Sequence, residues 1–469
     1  MIRPTIYFSI LLVIILLNSC EKNTGTGPDE ETDLVPSDHQ PENIIGLIDN
    51  FKLEDPPSRT IYIDPDNKAS QTAGTKDNPH RSMDRVRFVP DLTIAFKRGT
   101  TYETDKGITI ECDNISLMSY GESSERPVIR STVESHAVVG HWQGVNHVLI
   151  RDLDIHSVEG TASITFNPTE KGNSNISVIN CKLHGGGWGL RSMGTEGLLV
   201  ENTEVFDTKD DGIFIRWDDS IEIRNCYVHD VNQNWEPPHT PESDAGGDAL
   251  QLADSDNWHV HHNVFDRSSS GNKFAFISNN PNQRNGILEH NNLIGPKVDG
   301  SSIYIGDGAG LIFRYNIIMD CPGHPIYSHA SDLKLYGNVF VRLDNPIFIS
   351  GSAHIFRNTF HDVRRIADGG KLTIESNIFS FVSSEQRDYS QPGKFTETNN
   401  LYCGTSIVAS NSFIGNPNFI SVGNDDFRLG DKSDAIDRGT DTEMKIDMTG
   451  TEIPQGDGPD IGAFEKPEG

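Results

Sequence analysis

The feature that most constrains this chain is an internal repeat. From about residue 145 an asparagine followed by a short apolar run returns once in roughly two dozen residues, a spacing typical of solenoids. It reads "NCKL" at Asn180, "NTEV" at Asn202, "NCYV" at Asn225, "NVF" at Asn263, "NLI" at Asn292, "NII" at Asn316, "NVF" at Asn338, "NTF" at Asn358 and "NIF" at Asn377. Before each stands a short alternating segment, such as "NISVI", "SIEIR" or "GLIFRY", and before that another, such as "GIFI", "ALQL", "FAFI" or "SIYI". Period-two alternation between turn residues is a strand pattern, because successive side chains leave a strand on opposite sides. Each unit therefore contributes at least two short strands joined by sharp corners. Stacked units pair these strands in parallel, one rung about 4.8 Å above the next. The recurring asparagine predicts an inward-turned amide ladder bonded to the backbone of neighbouring turns.

Composition agrees with a thin-cored, turn-rich, all-β body: of 469 residues only 35% are hydrophobic, while glycine occurs 43 times. The formal charge of -29 argues against nucleic acid as a partner, yet a local basic groove for an acidic polysaccharide is compatible with it. At the N-terminus, "MIRPTIYFSILLVIILLNSC" has a basic start at Arg3 and an apolar core from Ile6 to Leu17 that is short for a membrane span. Residues 1–19 read as a signal peptide. The "LNSC" that closes the segment resembles a bacterial lipobox, which implies export and lipid anchoring through Cys20, at the outer membrane, the cell surface or the periplasm. Residues 20–58 are polar, acidic and Pro/Gly-bearing and read as a flexible tether. Cys112, Cys181, Cys226, Cys321 and Cys403 are odd in number and lack CxxC spacing, so small buried positions are expected rather than a zinc site.

The whole pattern resembles a right-handed parallel β-helix of the pectate-lyase type over residues 59–469, a single domain expected to be monomeric. Its opening "TIYIDPDN…GTKDNP…LTIAFKRGTTYE" is similar to the first rungs of many secreted β-helix proteins. From about residue 410, "NPNFISVGNDDFRLGDKSDAIDRGTD…GDGPDIGAFE" is similar to their closing segment. Caps of this kind are expected to cover the open ends of the solenoid.

One interval is long, from Asn225 to Asn263, and carries the insertion "VNQNWEPPHTPESDAGG" (231–247). Long insertions in a solenoid emerge on one face and often wall a binding groove. Beside it, Ile213 and Ile215, Leu250 and Leu252, Ala275 and Ile277, and Ile303 and Ile305 should point inward. Phe214, Gln251, Phe276 and Tyr304 then stack outward, with Arg216, Ala253, Ser278 and Gly306 in the next outward column. At the strand entrances Asp211, Asp248 and Lys273 fall on successive rungs, so that acid, acid and base line one sheet edge.

A groove with a base, aromatics and carboxylates resembles the sites of alginate, chondroitin-B and pectate lyases, which cleave uronate chains by β-elimination. The resemblance implies Lys273 as base, Arg216 as carboxylate neutraliser, and Tyr304 or His239 as proton donor. It further implies Gln251, Phe276, Trp217, Trp235 and Arg284 as substrate-binding residues, with Ca²⁺ possible at Asp211 and Asp248. Other readings remain open. The carboxylates Asp207, Asp210, Asp211, Asp218, Asp219 and Asp248 would suit a hydrolase pair, although the Gly-His-Gly and Arg-Ile-Lys elements of polygalacturonases are absent. A C-5 epimerase and a non-catalytic surface presenting Trp188, Trp217, Trp235 and Trp258 to glycans are further alternatives. In "HVHH", His259 and His261 share one strand side and His262 takes the other.

Overall fold

The computed structural model describes residues 56–57, 59–133, 135–158, 161–168, 172–231, 247–267, 275–277, 285–295, 303–344, 347–363, 367–380, 395–404 and 411–468. Apart from short 3₁₀ turns at Met83–Arg85 and Val422–Asn424, the regular structure among these residues is strand. Among the described residues two large sheets of 23 and 14 strands pair in parallel throughout, and the single antiparallel strand pair joins Phe419–Ser421 to Asp426–Leu429.

Each rung visits three faces in turn. One rung, for example, places Ile213–Arg216 on the first face, Asp219–Arg224 on the second and Tyr227–His229 on the third. The next repeats this with Leu250–Ala253, Asp256–His261 and Val264–Asp266, each paired with its counterpart below. The predicted strands per unit are thus three rather than the minimum of two. Toward the C-terminus, Ile347–Phe356 and Ala367–Glu375 run through the corner between the first and second faces, which merges those faces into one hydrogen-bonded sheet.

The inward positions form apolar columns. Ile164, Leu190, Ile213, Leu250, Ile303 and Ile326 stack on the first face, and Ile176, Leu198, Ile221 and Trp258 on the second, all fully or almost fully buried. Each such aliphatic side chain contributes about 1.5–3 kcal/mol on burial. Trp258 is therefore a core residue, not the exposed glycan platform expected above. Left-handed backbone at Asn257 (φ 51) precedes the turn of its ring inward. Gly286 on the next rung leaves room for the ring, since a Cβ there would lie 2.0 Å from the indole.

Between the second and third faces the chain turns through one left-handed residue on rung after rung: Asn180, Asn202, Asn225, His262, His290, Tyr315, Gly337, Arg357, Ser376 and Asn399. The inward-turned position is the next residue. The amide ladder consequently comprises Asn263, Asn291, Asn316, Asn338, Asn358, Asn377 and Asn400, all buried. Each amide oxygen from Asn291 to Asn377 accepts from the backbone N–H and the Nδ2 of the asparagine one rung below, at 2.9–3.1 Å. The expected ladder is therefore found at Asn263, Asn316, Asn338, Asn358 and Asn377, and is displaced by one residue at the other four positions. Asn180, Asn202 and Asn225 are the left-handed corner residues themselves, followed by Cys181, Thr203 and Cys226 at the ladder position. Asn292 lies in the third-face strand Asn292–Ile294, and Asn291 takes its place. Asparagine tolerates left-handed backbone better than most residues, so it is favoured at both positions and the motif alone does not separate them.

Cys181, Cys226 and Cys321 are buried free thiols as expected, whereas Cys112 and Cys403 are half-buried. The closing segment begins by covering the last rung, where Phe413–Ile414 pairs with Leu401–Cys403, and then continues beyond an end cap. It runs lengthwise along the outside of the solenoid, packing Met444 on Ile287, Ile312, Tyr315, Tyr336 and Phe356, and Phe427, Ala463 and Phe464 on Val339 and Val341. A fully buried ion pair, Arg357 Nη2 to Glu465 Oε2 at 2.8 Å, fastens it.

Candidate functional site

The first face presents a continuous outward column. Pairing of successive strands aligns Val139, Thr165, Arg191, Phe214, Gln251, Phe276, Tyr304, Tyr327 and Phe348 one above another. The prediction holds at Phe214, Gln251 and Tyr304, with Ile213, Ile215, Leu250, Leu252, Ile303 and Ile305 buried beside them. Sequence reasoning missed its continuation in both directions, although "GLRS", "PIYS" and "PIFI" carry the same alternation. From Arg191 to Phe348 the column spans roughly 29 Å at about 4.8 Å per rung.

Aromatic rings and guanidinium groups dominate it. Arg191 lies 5.2 Å from the Trp188 ring centre and 5.8 Å from that of Phe214. Farther along, Tyr304 stacks on Tyr327 at 5.8 Å and Tyr327 on Phe348 at 4.6 Å, and the exposed His329 bonds Ser350 Oγ at 2.6 Å. At the corner toward the second face, the left-handed position is held on successive rungs by Gly194 (φ 66), Trp217 (φ 59) and Asp254 (φ 51). A bulky residue in this conformation is uncommon. Trp217 is nonetheless 55% exposed, and no atom lies within 4 Å of where a Cβ on Gly194, one rung below, would stand. Arg216 is held at this corner, 4.3 Å from the Trp217 ring centre and 3.5 Å from Asp254 Oδ2. The structure thus brings Arg216, Trp217 and Gln251 together as expected. Ala253, paired with Arg216 in the next column, is buried.

Tyr304 is on the same face but three rungs beyond Arg216, roughly 14 Å away at the rung spacing. Arg216 and Tyr304 therefore address different sugar units, which corrects their pairing as neutraliser and proton donor at one bond. Lys273, His239, Trp235, Arg284 and Cys20 lie outside the described residues, as do residues 232–246 of the insertion, and Phe276 is described by its backbone alone.

Asp211 and Asp248 do fall on adjacent rungs, and the Asp248 N–H donates to Asp211 Oδ1 at 2.7 Å. They do not line an open edge, being only 4% and 5% exposed. Sequence reasoning overlooked the reason, Arg267. Its fully buried guanidinium donates to the carbonyls of Val231 (3.1 Å) and Gly247 (3.0 Å), tying together the two ends of the insertion. Burial lowers the Arg267 pKa to about 10, while Asp248 and Asp211 favour its charge. Burial together with the charge of Asp248 raises the Asp211 carboxyl well above the usual range. This arrangement does not suit calcium, which takes six to eight oxygen ligands, because both carboxylates are buried near a guanidinium and one Asp211 oxygen holds the Asp248 amide. Nor does it suit a carboxylate pair holding a water between its members, since the two acids are linked to each other. Among the described residues no group of three or more His, Cys, Asp or Glu is placed to hold a metal ion.

The other acids of the rival reading are similarly engaged. Asp218 is buried, accepts from Ser192 Oγ (2.6 Å) and the Thr195 N–H (2.8 Å), and is pushed up to about 7 by desolvation. Asp219 accepts from Ser220 and Asn257. On the second face, His259 and His261 point to the same side with ring centres 4.0 Å apart, bonded to Glu289 (2.7 Å) and Glu222 (3.1 Å). Arg314 and Tyr336 extend this network, whose groups are mutually paired.

A three-faced parallel solenoid with an outward, half-buried column of aromatic and basic residues defines the class. The chain belongs to the right-handed β-helix region family, whose model matches residues 120–272 and 243–379. Among solved structures it is similar to pectate lyase Pel9A at 14% identity, with 87% of this chain and 97% of that one covered and a TM-score of 0.37. It is also similar to an alginate lyase from Paenibacillus sp. str. FPU-7 (13% identity, 61% and 89% covered, TM-score 0.30). A third is the A-module of the Azotobacter vinelandii mannuronan C-5 epimerase AlgE6 (12%, 69% and 89%, TM-score 0.36). No curated protein sequence matches the chain.

Proposed function

We propose that this protein is a polysaccharide lyase acting on a uronate-containing chain laid along the first face. The observation that carries the reading is the outward column itself. In a chain of formal charge -29, Arg191 and Arg216 stand among Trp188, Phe214, Trp217, Tyr304 and Tyr327 on one extended surface. Guanidinium groups pair with sugar carboxylates and aromatic rings cover the apolar faces of pyranose rings.

In the proposed reaction Arg216 neutralises a uronate carboxylate, which acidifies the proton at C-5. Lys273, the base that the sequence suggests, accepts that proton. The electron pair forms the C4–C5 double bond as the bond to the 4-linked oxygen breaks, and that oxygen takes a proton from His239 or solvent. Tyr304 and Tyr327 bind sugars further along the chain. The protein is proposed to be exported and anchored through Cys20, and fractionation of Cys20→Ala checks this by release from membranes.

The test is turnover of alginate, pectate, glycosaminoglycans and ulvan, followed by ultraviolet absorbance of the unsaturated product. Lys273→Ala should abolish that signal, and Arg216→Ala should reduce kcat/KM about 100-fold or more, in the range of lost transition-state contacts. New reducing ends without the absorbance would instead indicate a hydrolase, and binding without turnover a glycan-binding surface.

A further inference from the structure

The outer side of the second face carries two buried apolar stretches, separated by the His259–His261 network, and the closing segment covers only one of them. In the C-terminal half, Ile287 and Ile312 lie beneath Met444 and Ile446. In the N-terminal half, Leu149, Ile179 and Leu199 also point outward, since their strand neighbours Val148, Ile150, Val178, Leu198 and Val200 fill the core. They are nevertheless only 7%, 9% and 5% exposed, and among the described residues they cluster only with one another.

We propose that residues 43–55 of this chain lie on this strip, as a strap that mirrors the closing segment. The direction of the chain points to it. Thr93 stands in the same outward column, below Ser116, Leu149, Ser177 and Leu199, and its Oγ1 donates to the Pro57 carbonyl at 3.0 Å. The chain thus crosses the lower end of the strip at residue 57. The preceding segment, "NIIGLIDNFKLED", has Ile44, Leu47, Ile48 and Phe51 at helical spacing, one apolar side for one apolar strip. Lengths agree as well. The four rungs from Thr93 to Leu199 measure roughly 19 Å, and a helix of 43–55 roughly 20 Å at 1.5 Å per residue. Charge is complementary. Arg151 flanks the strip with a buried Nε that lacks a hydrogen-bond acceptor among the described residues, its nearest acid being Asp152 at 3.8 Å, and the segment carries Asp49, Glu54 and Asp55.

Hydrogen exchange of the full-length protein tests this. Amides of 43–55 should exchange at least tenfold more slowly than those of 22–40, and Leu199→Glu should return them to the free rate while first-face strands stay protected. Should Leu199→Glu fail to fold, Ile48→Glu supplies the same readout from outside the solenoid. Free-rate exchange of 43–55 in the unaltered protein, or protection that survives both substitutions, overturns the proposal. Protection of the strip with free 43–55 and a dimeric mass by light scattering also overturns it, assigning the cover to a second copy.

Discussion

The two halves of the solenoid solve the same corner in different ways. From Asn263 to Asn400 every corner between the second and third faces is closed by a buried amide, whose Nδ2 also donates to carbonyls of its own rung and the rung below. In the earlier half Cys181, Thr203 and Cys226 stand at that position. There, Cys181 Sγ is 3.3 Å from the Ile179 carbonyl and Cys226 Sγ 3.2 Å from that of Arg224, with Thr203 Oγ1 donating to Glu201. A thiol is a weak donor and a small hydrophobe, whereas an amide fills every corner valence. The C-terminal half is therefore the more tightly cross-linked, and it also carries the closing segment. The half that bears Arg191, Arg216 and the insertion is held more by apolar packing.

Separating the closing segment from the C-terminal half should have the largest effect. Arg357→Ala leaves Glu465 buried without its partner and should cost about 3–5 kcal/mol, measured from urea unfolding midpoints. Next in size, Asn338→Ala removes one ladder member, takes away the acceptor of the Asn316 N–H and removes a donor from each of the Phe313 and Tyr336 carbonyls. Its expected cost is about 3 kcal/mol. Cys226→Ser at the equivalent corner of the other half should change stability by about 1 kcal/mol or less, and an equal loss at both sites would break the comparison.

The halves should also respond oppositely to pH. Asp218 has a folded pKa of about 7 against an unfolded value near ~3.9, so the folded state keeps a proton that the unfolded state loses. Stability from this group falls as pH rises from about 4 through 7, and Asp218→Asn should flatten that decline. Glu289 is held well below the carboxylate range, because Arg314 and His259 outweigh its burial. Its contribution is present above the unfolded value near ~4.3 and is lost as pH falls through the depressed one, a loss that Glu289→Gln should remove. Urea midpoints between pH 3 and 8 check both slopes. The smallest expected effect is that of chelation: treatment with EDTA should leave turnover unchanged, since the Asp211 and Asp248 carboxylates are buried near the Arg267 guanidinium, and loss of turnover reversed by calcium would restore them as ligands.

Much of the candidate face was legible in the chain. The alternation in "IFI", "LQL" and "IYI" sets which residues face outward, and the length of each unit sets which residue stacks on which, so the column from Phe214 to Tyr304 followed from spacing. The role of Asp211 and Asp248 was not legible. Arg267 lies far along the chain from Asp211 and in a third-face strand exit, and nothing local to "DDG" or "GGD" announces a guanidinium behind them. Asn180, Asn202 and Asn225 failed for a different reason. Left-handed corner and buried ladder are adjacent positions that both favour asparagine, and only the closed hydrogen bonds separate them.

By itself, then, the sequence determined the parallel solenoid, its outward column and the position of its insertion. These depend on periodicity, a property of neighbours along the chain. Tertiary structure alone decided that Trp258 is core, that the acid pair is buried against a cation, that Arg216 and Tyr304 are three rungs apart, and that the closing segment is a strap. Each of these depends on what packs across the rungs, and burial and charge pairing there join residues that sequence distance keeps apart.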